Sequence, residues 1–468
     1  MPPQARQAAG NGRRVRRVRR GALILSELGV TVKVTGKNQN RNPQRHPVIA
    51  AMFFHFHHSG VAEKAPASRQ TELLSRDFIL LFCLSLCSNG HIAVFYCFEQ
   101  WLEGLAVSPN WRGLLISSMF AMVLFLRPPA SFLLLRGGRL PALALSTAAL
   151  IGVMLGYLWL PETCLVEGVL ALRVTQGIAI AVQSSCITSV LVNCIPPGQS
   201  ARGFALFSLT ILLPYSIIPA ISEKILLPLL GGSEPRLFAL TGALAFISLL
   251  LVIPLAPRLK KAELPVESQS GVSRGAVWNS VRHSGLLCIF VACLCFSTMT
   301  ILAIFFMKGL CSVTGGQPSL FFSTYTVTII LVRLLASKRL DALPHHSVSI
   351  ICALGLALCM LGFAWGPLWA FAPIACLYGV GIGLLYPLLA SVVYNRSTPV
   401  TRSFNSNMMM SAFDASGMLA PLIGGLVIHA GFGYRGVFTA TAISITLCGL
   451  WTLLDWLRFH RVERGRPA

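Results

Sequence analysis

From residue 78 onward the chain alternates between long apolar runs and short polar breaks. Twelve runs stand out, at 78–101, 113–135, 141–161, 166–195, 203–222, 236–256, 285–307, 317–337, 347–366, 368–394, 404–429 and 434–457. Each is long enough, or nearly so, to cross a hydrocarbon layer of roughly 30 Å. Continuous apolarity predicts helices, because unpaired backbone is not tolerated in lipid and barrel strands would alternate instead. A polar stretch from Pro257 to Ser284 carries Arg258, Lys260, Lys261, Ser268, Ser270 and Ser273 and falls between the sixth and seventh runs. The pattern predicts a basic extension over 1–76, a six-helix half over 77–257, a linker over 258–284, a second half over 285–457 and a basic tail over 458–468.

The two halves echo each other. Leu134 to Leu143 reads LLRGGRLPAL, and Leu334 to Leu343 reads LLASKRLDAL, with six of ten positions identical. Gly177 and Pro197 are 20 residues apart, as are Gly379 and Pro399, and Arg202 and Arg402 follow the respective pairs. A membrane protein built as two copies of a half fits a secondary transporter whose substrate site lies where the halves meet.

Composition closes off the soluble alternatives. Apolar residues make up 54% of the chain, charged residues 12%, and the mean hydropathy is +0.70, more apolar surface than soluble cores can hide. The net charge of +22 is no nucleic-acid signal once located. Residues 1–76 hold 14 Lys/Arg against three Glu, half of the excess. Elsewhere the basic residues gather on one set of loops and the tail: Arg136, Arg139, Arg202, Arg258, Lys260, Lys261, Arg274, Arg282, Arg333, Lys338, Arg339, Arg396, Arg402, Arg458, Arg461, Arg464 and Arg466. The opposite loops hold Arg112, Lys224, Arg236, Lys308 and Arg435. This positive-inside bias predicts cytoplasmic termini. Trp101, Trp111, Trp159, Trp365 and Trp369 fall at the outer ends, as an aromatic belt would.

The extension reads as a disordered leader, or an upstream start with the true one near Met52; the alternative is a basic arm on anionic lipid. His55, His57 and His58 have no carboxylate or thiol nearby, and the cysteines form no CxxC pair, so neither a metal site nor a cofactor is expected. Cysteines within the runs read as small apolar packers.

Four stretches carry a family resemblance. Leu172-Arg173-Val174-Thr175-Gln176-Gly177 opens the fourth span like an R-x-x-Q-G motif. Pro196 to Gly203 looks like a P-x-x-x-R-G turn, Gly379 to Pro387 like a glycine-rich tenth helix, and Asp414 to Gly425 like an eleventh. In this order they resemble the major facilitator superfamily, closest in motif to its drug and proton antiporter-like branches. The resemblance implies an all-α membrane fold of twelve helices in two pseudo-symmetric halves. Two departures stand beside it. The loop after the second span keeps Arg136, Gly138 and Arg139, but Ser131 and Leu135 replace the expected glycine and aspartate, leaving Asp341 in the second copy to supply the missing latch. The fifth span reads Ile218-Pro219-Ala220-Ile221-Ser222-Glu223 in place of the antiporter G-P-x-x-G-G.

Candidate chemistry is sparse, with no nucleophile-and-base pair or phosphate loop to suggest an enzyme. Transport needs a few ionisable or polar groups within the apolar bundle. Arg173 stays charged when buried and must find a carboxylate, a carbonyl or an anionic substrate; the resemblance implies a part in proton coupling. Asp414, well inside the eleventh span, is costly to ionise there and so suits proton loading. Glu99 and Glu103 share a face near the outer end of the first span; Glu99 is a proton or cation acceptor candidate, and Glu103 reads as solvated. Asn89 and His91 sit mid-span, where His91 is either a relay or a satisfied packing histidine. Gln176, Gln183, Tyr96, Tyr215 and Tyr386 would bind substrate if they face the cavity. Gly177, Gly379, Gly381 and Gly383 suit close or sliding helices. Arg136, Gly138, Arg139, Arg339 and Asp341 are gating candidates with Gly177 and Gly381. Glu223 and Lys224 read as an exposed pair, and Arg127 as reaching the cytoplasmic surface.

The expected protein is a monomer in the inner or plasma membrane. It would export a small organic molecule against protons by alternating access. Proton symport or facilitated uptake is the alternative within transport, and a non-transporting receptor or scaffold the alternative outside it.

Overall fold

The computed structural model describes residues 73–261, residue 275 and residues 285–464, except residue 136. The expectations on the leader, its histidines, most of the linker and Arg136 lie outside the described residues. Twelve of the described helices are long and apolar enough to cross a membrane: α1 (Arg76–Gly104), α2 (Trp111–Leu135), α3 (Arg139–Trp159), α4 (Leu165–Cys194), α5 (Ser200–Leu229), α6 (Glu234–Lys260), α7 (Leu286–Thr314), α8 (Pro318–Leu335), α9 (His345–Trp365), α10 (Leu368–Arg396), α11 (Arg402–His429) and α12 (Gly433–Arg458). The described residues contain no strand.

Local chemistry sets where these helices begin. The Ser75 hydroxyl accepts the Phe78 N–H at 3.3 Å and caps α1. Gly138 precedes α3 at φ +75°, a left-handed conformation that only glycine adopts cheaply. Pro318 starts α8 at a position whose N–H would be unbonded anyway. The two echoed loops nevertheless fold differently. In the first copy α3 begins at Arg139, and Pro141 is accommodated in its first turn. In the second, Ser337–Leu340 forms a separate one-turn helix and α9 starts only after Pro344.

Packing repeats between the halves. In the first, α1 packs on α5 and α6, α2 on α4, and α3 on α4 and α6; in the second, α7 packs on α11 and α12, α8 on α10, and α9 on α10 and α12. The echoed glycines sit at equivalent crossings. A Cβ on Gly177 would lie 2.7 Å from the Met119 carbonyl oxygen of α2, and one on Gly379 would lie 2.8 Å from the Tyr325 carbonyl oxygen of α8. Neither backbone can retreat cheaply. Gly379→Leu should therefore cost on the order of 3 kcal/mol through overpacking and lower the melting temperature in detergent; an unchanged melt would refute this close contact.

The outer surface is apolar in a way water does not permit. Phe125, Leu145 and Leu358 are 67%, 75% and 70% exposed, which fits a lipid-facing belt. Trp111, Trp159, Trp365 and Trp369 are exposed there too. Trp101 departs from the expectation. It is buried, packed on Phe98, Tyr157 and Phe238, because α1 carries it inward against α3 and α6.

Candidate functional site

The halves are joined from one end of the bundle. That basic end carries Arg139, Arg202, Arg258, Lys338, Arg339, Arg396, Arg402 and Arg458. At its rim Asp341 accepts the backbone N–H groups of Ala201 and Arg202, at 2.7 and 3.1 Å, where α5 begins. The carboxylate meets unsatisfied donors at the positive end of a helix. Burial pushes the Asp341 carboxyl above the ordinary carboxylate range, outweighing the two N–H donors that favour its charge. Deeper in, the Tyr394 hydroxyl donates to the Ile195 carbonyl at 2.9 Å, and Ser200 meets Ser391 at 2.7 Å. Ser189 meets Ser403 at 2.5 Å, and Asn407 donates to the Ser185 carbonyl at 3.3 Å. Phe404 of α11 packs on Phe132 and Leu135 of α2.

The seam ends in an ion pair. Arg127 of α2 donates through Nε to Asp414 Oδ2 of α11 at 2.5 Å and through a terminal nitrogen to Oδ1 at 3.3 Å. Their side chains are 8% and 16% exposed. Arg127 therefore does not reach the surface as its sequence position suggested. Side chains on a helix tilt toward its N-terminus, and for α2 that is away from the basic end. The run Pro128 to Leu135 that follows it was the overlooked signal, since eight uncharged residues separate Arg127 from the end of its helix. Among the described residues, every hydrogen bond and ion pair between the halves lies from this pair to the basic end.

Beside the pair, Tyr386 of α10 stacks edge-on against Phe413 at 5.6 Å. The Arg333 guanidinium of α8 lies 5.5 Å from the Tyr386 ring centre. Arg333 is 4% exposed and so is no loop residue, again contrary to expectation. Nothing in the sequence marks it, because only two residues separate it from the end of α8; α10 covers it in the folded bundle.

Arg173 lies in the first half, 2% exposed. It donates to the Leu115 and Ile116 carbonyls of α2, each at 3.3 Å, and to Gln176 Oε1 at 2.9 Å. The rings of Phe95 and Phe98 lie 5.0 and 4.6 Å from its guanidinium carbon. It found carbonyls, not a carboxylate, and it pins α4 to α2. Gln183 joins three helices by accepting from Ser88 at 2.5 Å and donating to Thr147 at 2.9 Å. Asn89 bonds back to Ser85 within its own helix. His91 is fully buried, and among the described residues neither ring nitrogen makes a hydrogen bond of good geometry. The Tyr96 hydroxyl is likewise buried without a partner. Tyr215 keeps 49% of its surface accessible although protein surrounds it near Arg173, as a side chain facing an internal opening would.

The remaining candidates spread out. The side chain of Glu99 lies outside those described. Glu103 is exposed and pairs with Arg112 at 3.4 Å. Glu223 and Lys224 are exposed, and among the described residues no ion pair joins them. Arg139 is buried and bonds the Leu134 carbonyl at 3.2 Å, so it braces its own loop; Arg339 is exposed. Gly381 packs on Leu356 and Gly383 on Val332. Sequence reasoning also passed over Asp455, 3% exposed near the basic end of α12. It accepts from Arg396 at 2.7 Å and lies 3.0 Å from His346, binding three helices of the second half. Among the described residues no group of three or more His, Cys, Asp or Glu could hold a metal.

The family model for the Major Facilitator Superfamily matches residues 78–315 and 285–468. No curated protein matches the chain. Among solved structures, the human organic anion transporter MFSD10 (TETRAN) is similar at 17% identity and a TM-score of 0.65, over 81% of this chain and 99% of that one. A bacterial homologue of the iron transporter ferroportin, in an outward-facing state, is similar at 11% identity and a TM-score of 0.66, over 81% and 99%. The E. coli fucose:proton symporter FucP is similar at 13% identity and a TM-score of 0.62, over 81% and 98%. At these identities the structures share the fold alone. With twelve spans, doubled packing and a family model matching most of its length, this chain belongs to the major facilitator superfamily.

Proposed function

We propose that the protein is a proton-coupled secondary transporter that exports a small organic molecule by alternating access. The observation that carries this reading is the Arg127–Asp414 ion pair, which ties one half to the other at mid-bundle. A buried carboxylate whose counter-charge belongs to the opposite half links protonation to movement. A proton on Asp414 cancels its attraction for Arg127 and removes the deepest tie in the seam. The halves can then separate at the basic end, and loss of the proton re-forms the tie. With that end cytoplasmic, as the positive-inside bias indicates, the seam closes the bundle on its cytoplasmic side.

In this scheme Arg173 is a positioning residue. It holds α4 against α2 so that Arg127 meets Asp414. The inner or plasma membrane is the proposed location and a monomer the proposed unit. Uptake by proton symport is the second reading, favoured by one observation. The fifth span has prolines at 214 and 219 and a π turn over Ser222–Leu226 where antiporters carry glycines.

Everted vesicles containing the protein, acidified inside and loaded with a pH-sensitive dye, separate these readings. Dye recovery on adding a compound from a panel of drugs, sugars, amino acids and organic acids, absent from protein-free vesicles and from Asp414→Asn, is the result expected for export. Silence across the panel, with proton-dependent uptake into whole cells, would replace export by symport.

A further inference from the structure

Resting on the transport reading, we infer that the substrate carries a negative charge and that Arg333, with the Tyr386 hydroxyl, receives it. The case begins with charge accounting in the second half. The carboxylates here whose side chains are described are Asp341, Asp414 and Asp455. Asp341 is held by the N–H groups of Ala201 and Arg202, Asp414 by Arg127, and Asp455 by Arg396 and His346. Among these described side chains none is left for Arg333.

Arg333 is 4% exposed, its Nε has no hydrogen-bond partner, and no ion pair or hydrogen bond involves it among the described residues. Among the described residues its electron-rich neighbour is the face of the Tyr386 ring, 5.5 Å away. The Tyr386 hydroxyl makes no hydrogen bond with the described residues either, and the side chain stays partly accessible. A guanidinium cannot shed its charge, and burying it unpaired is costly. Two bland explanations fall short. The last turn of α8 offers a negative dipole end, but Arg333 bonds none of its carbonyls. Snorkelling to the lipid headgroups would leave it exposed.

The position is also right. Arg333 lies beside the Tyr386 ring, Tyr386 packs on Phe413, and the neighbouring Asp414 is already held by Arg127, so among the described side chains of this cluster Arg333 is the cation in excess. A planar fork of N–H donors beside a free phenol suits a carboxylate, sulfonate or phosphate monoester. Arg173 does not compete for that role, since carbonyls, Gln176 and two rings already satisfy it.

The test measures binding apart from transport. Purified protein in nanodiscs is melted with benzoate, benzenesulfonate, phenyl phosphate and dicarboxylates, each beside its neutral amide or ester, and beside benzylamine. The expected result is stabilisation by at least one anion and not by its neutral partner. Arg333→Gln should raise that anion's half-saturating concentration roughly tenfold or more, the loss of one charge-assisted contact. Arg333→Lys, which keeps the charge but not the planar fork, should bind the anion several-fold more weakly than the parent and more tightly than Arg333→Gln, and it keeps the test open if the Gln variant folds poorly. Stabilisation by the amides or benzylamine instead, no stabilisation by any anion, or unchanged anion affinity in Arg333→Gln would each overturn the inference. Anion binding without flux in proteoliposomes would uphold it while removing the transport reading. Flux of neutral or cationic compounds without anion binding would do the reverse.

Discussion

Asp414→Asn should abolish proton-driven flux while leaving the protein in the membrane, and Arg127→Gln should do the same. Each single change strands one member of a cross-half pair whose side chains are 16% and 8% exposed. Removing one partner of a buried ion pair costs on the order of 3 kcal/mol, because the other charge remains without compensation. Both variants should therefore melt below the parent in detergent. The double variant removes both charges and should regain much of that stability. It should not regain flux, since no group is left to carry the proton between states. That split between stability and flux distinguishes a coupling pair from a merely structural one. Normal ΔpH-driven flux in Asp414→Asn would end the coupling scheme.

The second large effect is expected at the rim of the basic end. Asp341→Ala frees the Ala201 and Arg202 N–H groups from a carboxylate that accepts both. Hydrogen bonds to a charged group contribute about 1.5–3 kcal/mol each. The desolvation that Asp341 bears when latched offsets part of this, so losing both should move the balance between closed and open basic ends by on the order of 1.5 kcal/mol, roughly tenfold in population. Amide hydrogen exchange over residues 199–207 should accelerate accordingly, and exchange over α3 and α9 should not. The parent should also respond to pH. In the latched form burial raises the Asp341 carboxyl above the range it has when free, so the latched form binds the proton more tightly. Latching should strengthen as pH falls through the raised value toward the ordinary carboxylate range, and weaken as pH rises through it. The measurement is the protection of the Ala201 and Arg202 amides, corrected for intrinsic exchange. Protection that drops on acidification would contradict the burial-dominated shift.

Much of the fold was legible before any coordinates, because a bilayer leaves few choices. Twenty apolar residues in lipid must satisfy their own backbone, and a helix does so locally. Thus the runs named from composition agree with α1 to α12 to within several residues, and the six-plus-six division appears as doubled packing. The glycine echo was also readable. Gly177 and Gly379 share a spacing because each meets a neighbouring backbone carbonyl at an equivalent crossing.

The candidate site was legible only in part. Arg173 and Asp414 could be singled out because each is an isolated charge far inside an apolar run, and such a charge needs a reason. Their partners could not. Asp414 is 287 residues from Arg127, and no local rule links them. Arg333 and Asp455 lie within a turn or so of their helix ends, where the chain alone cannot distinguish a side chain in the headgroups from one under a neighbouring helix. The ten-letter loop echo made Arg139 and Arg339 look equivalent, yet a proline at 141 in one copy and at 344 in the other moved the helix starts and separated their fates. What the sequence determined by itself was everything set by local hydrogen bonding and transfer to lipid: spans, their number, their doubling and the basic end. What only the tertiary structure decided was which charges meet across the halves and which one is left over, because those depend on how two separate six-helix units dock along one seam.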